Sequence, residues 1–125
     1  MSMTIVWQTG FEAAHRLPQA PEGHKCHRVH GHSFRCELHL TGDVDPTFGW
    51  VHDFDALEVA FQPYWQQLDH HLLNEVEGLS NPTSENIALW IWERLKPVLP
   101  QLSAVVIHET CTSRVIYTGP GRDSA

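Results

Sequence analysis

His30-Gly31-His32-Ser33-Phe34-Arg35-Cys36-Glu37-Leu38-His39-Leu40-Thr41 carries a clean period of two. His30, His32, Phe34, Cys36, Leu38 and Leu40 share one parity, while Ser33, Arg35, Glu37, His39 and Thr41 share the other, the pattern of a strand buried on one face. That apolar face opens with two imidazoles. A polar group buried without a partner costs about 1–3 kcal/mol, so His30 and His32 need either a ligand or hydrogen-bond partners.

Upstream, Ile5 to His15 joins β-formers to the mixed stretch FEAAH and is expected to form a twisted or bulged strand. Between the two strands lies RLPQAPEGHKCHRV, 14 residues rich in Pro, Gly and polar side chains. A loop of that length is more often functional than idle. Downstream, TGDVDPTFGW is a second turn-rich connector, after which Leu57, Phe61, Trp65 and Leu68 recur at helical spacing. Pro63 should kink or divide this helix, because it has no N–H to give. In NPTSEN, Thr83 or Ser84 can cap a second helix carrying Ile87, Ala88, Ile91, Trp92 and Leu95, with Glu85 in its first turn and Pro97 limiting its far end. Ser103 to Glu109 and Arg114 to Thr118 read as two final strands, joined as a hairpin through 110–113. The expected architecture is α+β: a four-stranded, mostly antiparallel sheet with two helices packed on one face, a single domain over 1–118 and a flexible tail over 119–125.

The 125 residues include 8 Lys plus Arg against 15 Asp plus Glu, a formal charge of −7 that argues against a broad nucleic-acid surface. A small anionic ligand is still compatible with a few local cations. Cys26, Cys36 and Cys111 are odd in number and form no CxxC pair, so neither a disulfide framework nor a cysteine-rich zinc knuckle is indicated. The opening MSMTIVWQTG has no basic region leading into a long apolar run, and no later stretch is long enough to span a bilayer. These features read as a soluble, cytoplasmic protein that does not bind membranes.

Catalytic zinc usually takes three protein ligands and keeps a position for water or substrate. His30 and His32 project from one side of a strand, His15 on a neighbouring strand can complete the tripod, and Gly31 leaves room between them. Without an ion, the three would be hydrogen-bonded histidines at a sheet edge. Cys26 has two readings. As a fourth ligand it closes the metal shell and makes the chain a zinc-binding assembly module; as a free thiol flanked by Lys25, His27 and Arg28 it moves protons or acts as a nucleophile. Cys36 lies in phase with the buried face and reads as packing, whereas Cys111 receives no task. Asp69 and His70 in LDHH form a candidate acid–base pair, set against plain solvent-facing polarity at a helix end. Glu109 closes an apolar strand, where its carboxylate either grips a ligand's N–H groups or faces water.

FEAAHRLP, PEGHKCHRVHGHSF, GDVDPTFGWVHDF, LDHHLLN, NPTSEN and ETCTS, in that order over nearly the whole chain, resemble the 6-pyruvoyltetrahydropterin synthase superfamily. The three residues between Cys26 and His30 resemble its carboxy-forming branch, which acts in queuosine precursor synthesis. The resemblance implies the tunnelling fold, in which sheets from several subunits join into a barrel, commonly a hexamer of two trimers with active sites between subunits. It implies Zn²⁺ held by His15, His30 and His32, Cys26 as catalytic thiolate, Asp69 and His70 as proton-relay partners, and Glu109 with Thr110 as pterin-binding residues. Glu109 would then serve a pocket whose zinc belongs to another chain. The implied reaction converts 7,8-dihydroneopterin triphosphate to 6-carboxy-5,6,7,8-tetrahydropterin, releasing acetaldehyde and triphosphate. Arg16, Lys25, His27, Arg28 and Arg114 are candidate triphosphate contacts. Pyruvoyl-forming and sepiapterin-cleaving activities are the alternatives on the same site.

Overall fold

The computed structural model describes residues 2–121. Its first two strands, β1 (Ser2–His15) and β2 (His30–Asp43), pair antiparallel without a register shift from Ser2↔Asp43 to His15↔His30. FEAAH is therefore a regular strand end. Register sets the faces, because directly opposed residues share a side of the sheet. Phe11 faces Phe34, and Trp7 faces Leu38. Phe34, Cys36, Leu38 and Leu40 are all fully buried, as the alternation predicts.

Helix α1 (Phe54–Leu68) is capped by Asp53, whose side chain accepts from the Asp55 N–H. Thr83 caps α2 (Ser84–Leu95) by accepting from the Asn86 N–H. Both helices turn their apolar stripes to the same sheet face: Leu57, Phe61 and Leu68 from α1 and Ile87, Ala88, Ile91, Trp92 and Leu95 from α2 share one core with the β2 side chains. Burying each large apolar side chain contributes about 1.5–3 kcal/mol. Trp7 meets Phe61 edge-on at 5.9 Å, and Trp92 meets Tyr117 at 5.3 Å, so α1 lies over β1 and α2 over the far side of the sheet.

Two expectations are corrected. Pro63, expected to kink or divide this helix, does not divide α1, which runs unbroken through it. The carbonyl left without a donor belongs to Val59, a residue 71 % exposed, where water can take the missing bond. The sheet has five strands, in the order β3-β1-β2-β4-β5, where β3 (His71–Leu72), β4 (Leu102–Thr110) and β5 (Ser113–Tyr117) complete the set. The extra strand, β3, pairs parallel to β1 through Ala13↔His71 and Ala14↔Leu72, too short a segment to show a period. Beyond β5, Gly119 has φ +90°, and an added Cβ would lie 2.5 Å from the Trp92 ring, so this part of the expected tail packs on α2. The remainder of that tail, 122–125, lies outside the described residues.

On the face away from the helices, His39 Nε2 and His108 Nε2 donate to the two oxygens of Glu37 at 2.9 and 2.6 Å. The bond from His39 foremost, then that from His108, holds the Glu37 carboxyl below its ordinary 4.5 against the opposing effect of burial. A depressed carboxyl contributes stability that is present above its unfolded value and lost as pH falls through the folded one. Glu37→Gln is therefore expected to cost about 1 kcal/mol at neutral pH. The difference from wild type should vanish as melts are repeated toward pH 3.

Candidate metal centre and active site

His15, at the end of β1, and His30 and His32, at the start of β2, point their rings into one corner of the helix-covered face. Ring centroids are 4.6 Å apart for His15 and His30, 5.2 Å for His15 and His32, and 5.0 Å for His30 and His32. One ligand nitrogen from each lies within 4.8 Å of the others. Phe34 forms the floor, edge-on to His15 and His32 and stacked on Phe11 at 5.1 Å. The strand register that buries the core thus also sets the imidazoles.

Backbone carbonyls fix two of the rings. His15 donates from Nδ1 to the Pro82 carbonyl, and His30 from Nδ1 to the Arg28 carbonyl, both at 2.8 Å. Each Nε2 is left as a lone-pair donor. His15 Nε2 is wholly buried and has no hydrogen-bond partner, a state that costs about 1–3 kcal/mol unless something else satisfies it. Burial is the main force lowering the His15 pKa; the nearby His30 and His32 add to it, while the Pro82 carbonyl and Glu109 oppose it. The neutral ring is the ligating form. An orphaned buried nitrogen, three convergent imidazoles and oriented tautomers fit a divalent cation.

Glu109 follows Val105 and Ile107 in the period of two and sits at a β-bulge between His108 and Thr110. Its carboxylate stands 3.6 Å from His15 Nε2 and 3.8 Å from His32 Nε2 in the same chain. Glu109 thus lies beside the imidazoles of its own chain. These separations exceed hydrogen-bond length, so the carboxylate keeps lone pairs for a donor-bearing ligand. Thr110 follows it at the rim of a cavity of about 580 Å³ shared with His32, Glu109 and Cys111.

Cys26 sits in a one-turn 3₁₀ helix, Lys25–His27, within the long loop. Its N–H donates to His24 Nδ1 at 3.0 Å, and its carbonyl accepts from the Leu17 N–H at 2.7 Å. The His27 ring bonds the Ala20 carbonyl. This loop is organised by its own histidines. Cys26 is half-buried and is not among the metal-ligating group of the described residues, which contains only the three imidazoles. Cys36 is fully buried, and desolvation pushes its thiol far up, as packing requires. Arg16, Lys25, Arg28 and Arg114 are exposed.

Asp69 and His70 form a joined pair, with His70 Nδ1 bonded to Asp69 Oδ2 at 2.7 Å. The Glu12 N–H, donating to Asp69 Oδ1, is the chief cause of the lowered Asp69 pKa. The hydrogen bond to Asp69 is the chief cause of the raised His70 pKa. Through His70 the pair lines a second cavity with Glu12, Gly31, His32 and Ser33. No described contact within one chain joins it to Cys26.

A model of the family described as 6-pyruvoyl tetrahydropterin synthase matches residues 4–120. The 6-carboxy-5,6,7,8-tetrahydropterin synthase of Synechocystis sp. is 45% identical over 94% of this chain and 95% of its own length.

The chain belongs to the 6-pyruvoyl tetrahydropterin synthase family.

The dihydroneopterin monophosphate aldolase of Pyrococcus furiosus is also similar, at 37% identity over 80% of this chain and 81% of that one. Among solved structures, 6-pyruvoyl tetrahydropterin synthase of Caenorhabditis elegans superposes with a TM-score of 0.89 at 32% identity, covering 96% of this chain and 97% of that chain. The α+β arrangement is therefore the tunnelling fold of this family. Four contributors to the site escaped the sequence reading: the Pro82 carbonyl, His24 as the loop's cap, Phe34 as the floor, and Glu12 beside His70. Only Phe34 had a local signal, its place in the alternation after His32. His71 and His52, given no role from sequence, bond the Asp69 and Asp53 carbonyls.

Proposed function

We propose that this member of the family converts 7,8-dihydroneopterin triphosphate and one water molecule to 6-carboxy-5,6,7,8-tetrahydropterin, acetaldehyde and triphosphate, as a step toward queuosine precursors. The observation that carries the proposal is the placement of a three-imidazole cluster directly beside the Glu109 carboxylate. A pterin presents a 2-amino group and an adjacent ring N–H, two donors that match two carboxylate oxygens. Glu109 and Thr110 hold that edge. The substrate side chain then reaches the histidines.

His15, His30 and His32 would hold Zn²⁺. When bound, the ion is a Lewis acid that offsets negative charge building on the side-chain oxygens as protons leave neighbouring carbons. Cys26 takes a proton on one face of the substrate. His70, oriented by Asp69, exchanges a proton from another direction. His70 shares a cavity with His32, and a thiol from a neighbouring subunit completes the site there. A hexamer of two trimers supplies that neighbour. The described sheet favours such assembly, because β1 pairs with β3 only at Ala13 and Ala14 and leaves most of its edge open.

Product analysis separates this reading from its alternatives. Incubation with 7,8-dihydroneopterin triphosphate should yield 6-carboxytetrahydropterin, acetaldehyde and triphosphate in equal amounts. Triphosphate with a pyruvoyl pterin and no acetaldehyde would move the chain to the pyruvoyl-forming activity.

A further inference from the structure

Glu12 has no part in the chemistry above, although the dyad is built on it. Its backbone N–H donates to Asp69 Oδ1 at 2.9 Å, and its carbonyl accepts from the His70 N–H at 2.5 Å. One residue of β1 therefore ties down both members of the pair. Its side chain is fixed as well: Ser33, its cross-strand partner, donates from Oγ to Glu12 Oε1 at 2.6 Å. The second carboxylate oxygen is left for the cavity of about 500 Å³ that Glu12, Ser33 and His70 line together.

His70 is held in an unusual state. Its φ of +59° makes it the only non-glycine among the described residues in the left-handed region. It follows the α1 cap at Asp69, a position that most often takes glycine. A non-glycine residue there is strained and persists only where its surroundings over-determine it. The Glu12 carbonyl is the partner that the turn delivers to the His70 N–H. Such strain concentrates at working sites.

We propose that Glu12 is a positioning residue for His70, clamping the Asp69–His70 turn through its backbone and presenting a Ser33-locked carboxylate to the same cavity as the ring. This rests on the reading that His70 exchanges a proton during turnover. Asp69 anchors Nδ1, so proton exchange takes place at Nε2. The ionisable groups around the ring are Asp69 on its own turn, Glu12 on β1 and His71 on β3, while β2 contributes the neutral Ser33 and, lining the same cavity, His32. The negative charge of Glu12 adds to that of Asp69 in favouring the imidazolium. The dyad then enters the reaction as an oriented acid.

Glu12→Gln isolates the carboxylate. The clamp uses only backbone atoms, and a glutamine can still accept the Ser33 hydroxyl, so fold and turn should persist. The test is NMR titration of histidine-labelled protein at low ionic strength, where exposed charges are least screened, with the His70 signal assigned by its loss in His70→Asn. The His70 midpoint should fall in E12Q, return toward wild type in E12D, and fall less in S33A. In turnover, E12Q should move the alkaline limb of kcat to lower pH with little change in KM. A His70 midpoint in E12Q equal to that of wild type would overturn the proposal. If the midpoint falls as expected while the wild-type protein turns over no dihydroneopterin triphosphate, the positioning role stands and the proposed reaction is what fails.

Discussion

His30→Ala is expected to weaken metal binding by at least about 100-fold and to abolish turnover. Loss of a single outer hydrogen-bond partner of a metal ligand already costs roughly 10–100-fold in affinity or activity, and a catalytic zinc usually has only three protein ligands to lose. The fold should survive. His30 is half-buried at the very start of β2, whereas the register is secured further along by Phe34, Leu38 and Leu40. Metal analysis per protomer, with a thermal melt of the same sample, checks both halves. Stoichiometric metal in the variant would remove His30 from the ligand set.

Cys26→Ala should behave in the opposite way, keeping metal and fold while losing about 10²–10⁴ in kcat, the usual contribution of a positioned acid or base. The structure gives the sulfur no scaffolding task. The loop around it is held by the Leu17 N–H on the Cys26 carbonyl, the Cys26 N–H on His24 and the His27 ring on Ala20. None of these bonds uses Sγ. A fully active C26A would end the thiolate assignment and leave the three-imidazole site intact, whereas loss of metal in C26A would favour the reading of a zinc-binding assembly module.

The contrast between those two variants follows the line between what the sequence states locally and what only the fold assembles. Alternation in β2 placed His30 and His32 on the buried face because a strand side chain's direction depends on parity alone. Thr83 was readable as a cap because capping acts over three residues. Pro63 misled for the same reason: its missing N–H is a local fact, but Leu57, Phe61 and Leu68 anchor the helix on both sides of it. The remaining parts of the site depend on contacts remote in sequence. Pro82 reaches His15 across 67 positions, and Glu12 reaches Asp69 across 57. Strand β3 has two residues and exists only because β1 is there to receive it. For Glu109, the parity shared with Val105 and Ile107 was the available clue; that it faces its own chain's histidines follows from the sheet order.

The central claim is that three imidazoles hold one ion and leave a position open, with no sulfur bound. X-ray absorption at the metal edge of the wild-type protein measures this directly. The expected spectrum shows only nitrogen and oxygen neighbours and is unchanged in Cys26→Ala. A sulfur neighbour at about 2.3 Å that disappears in that variant would contradict the account.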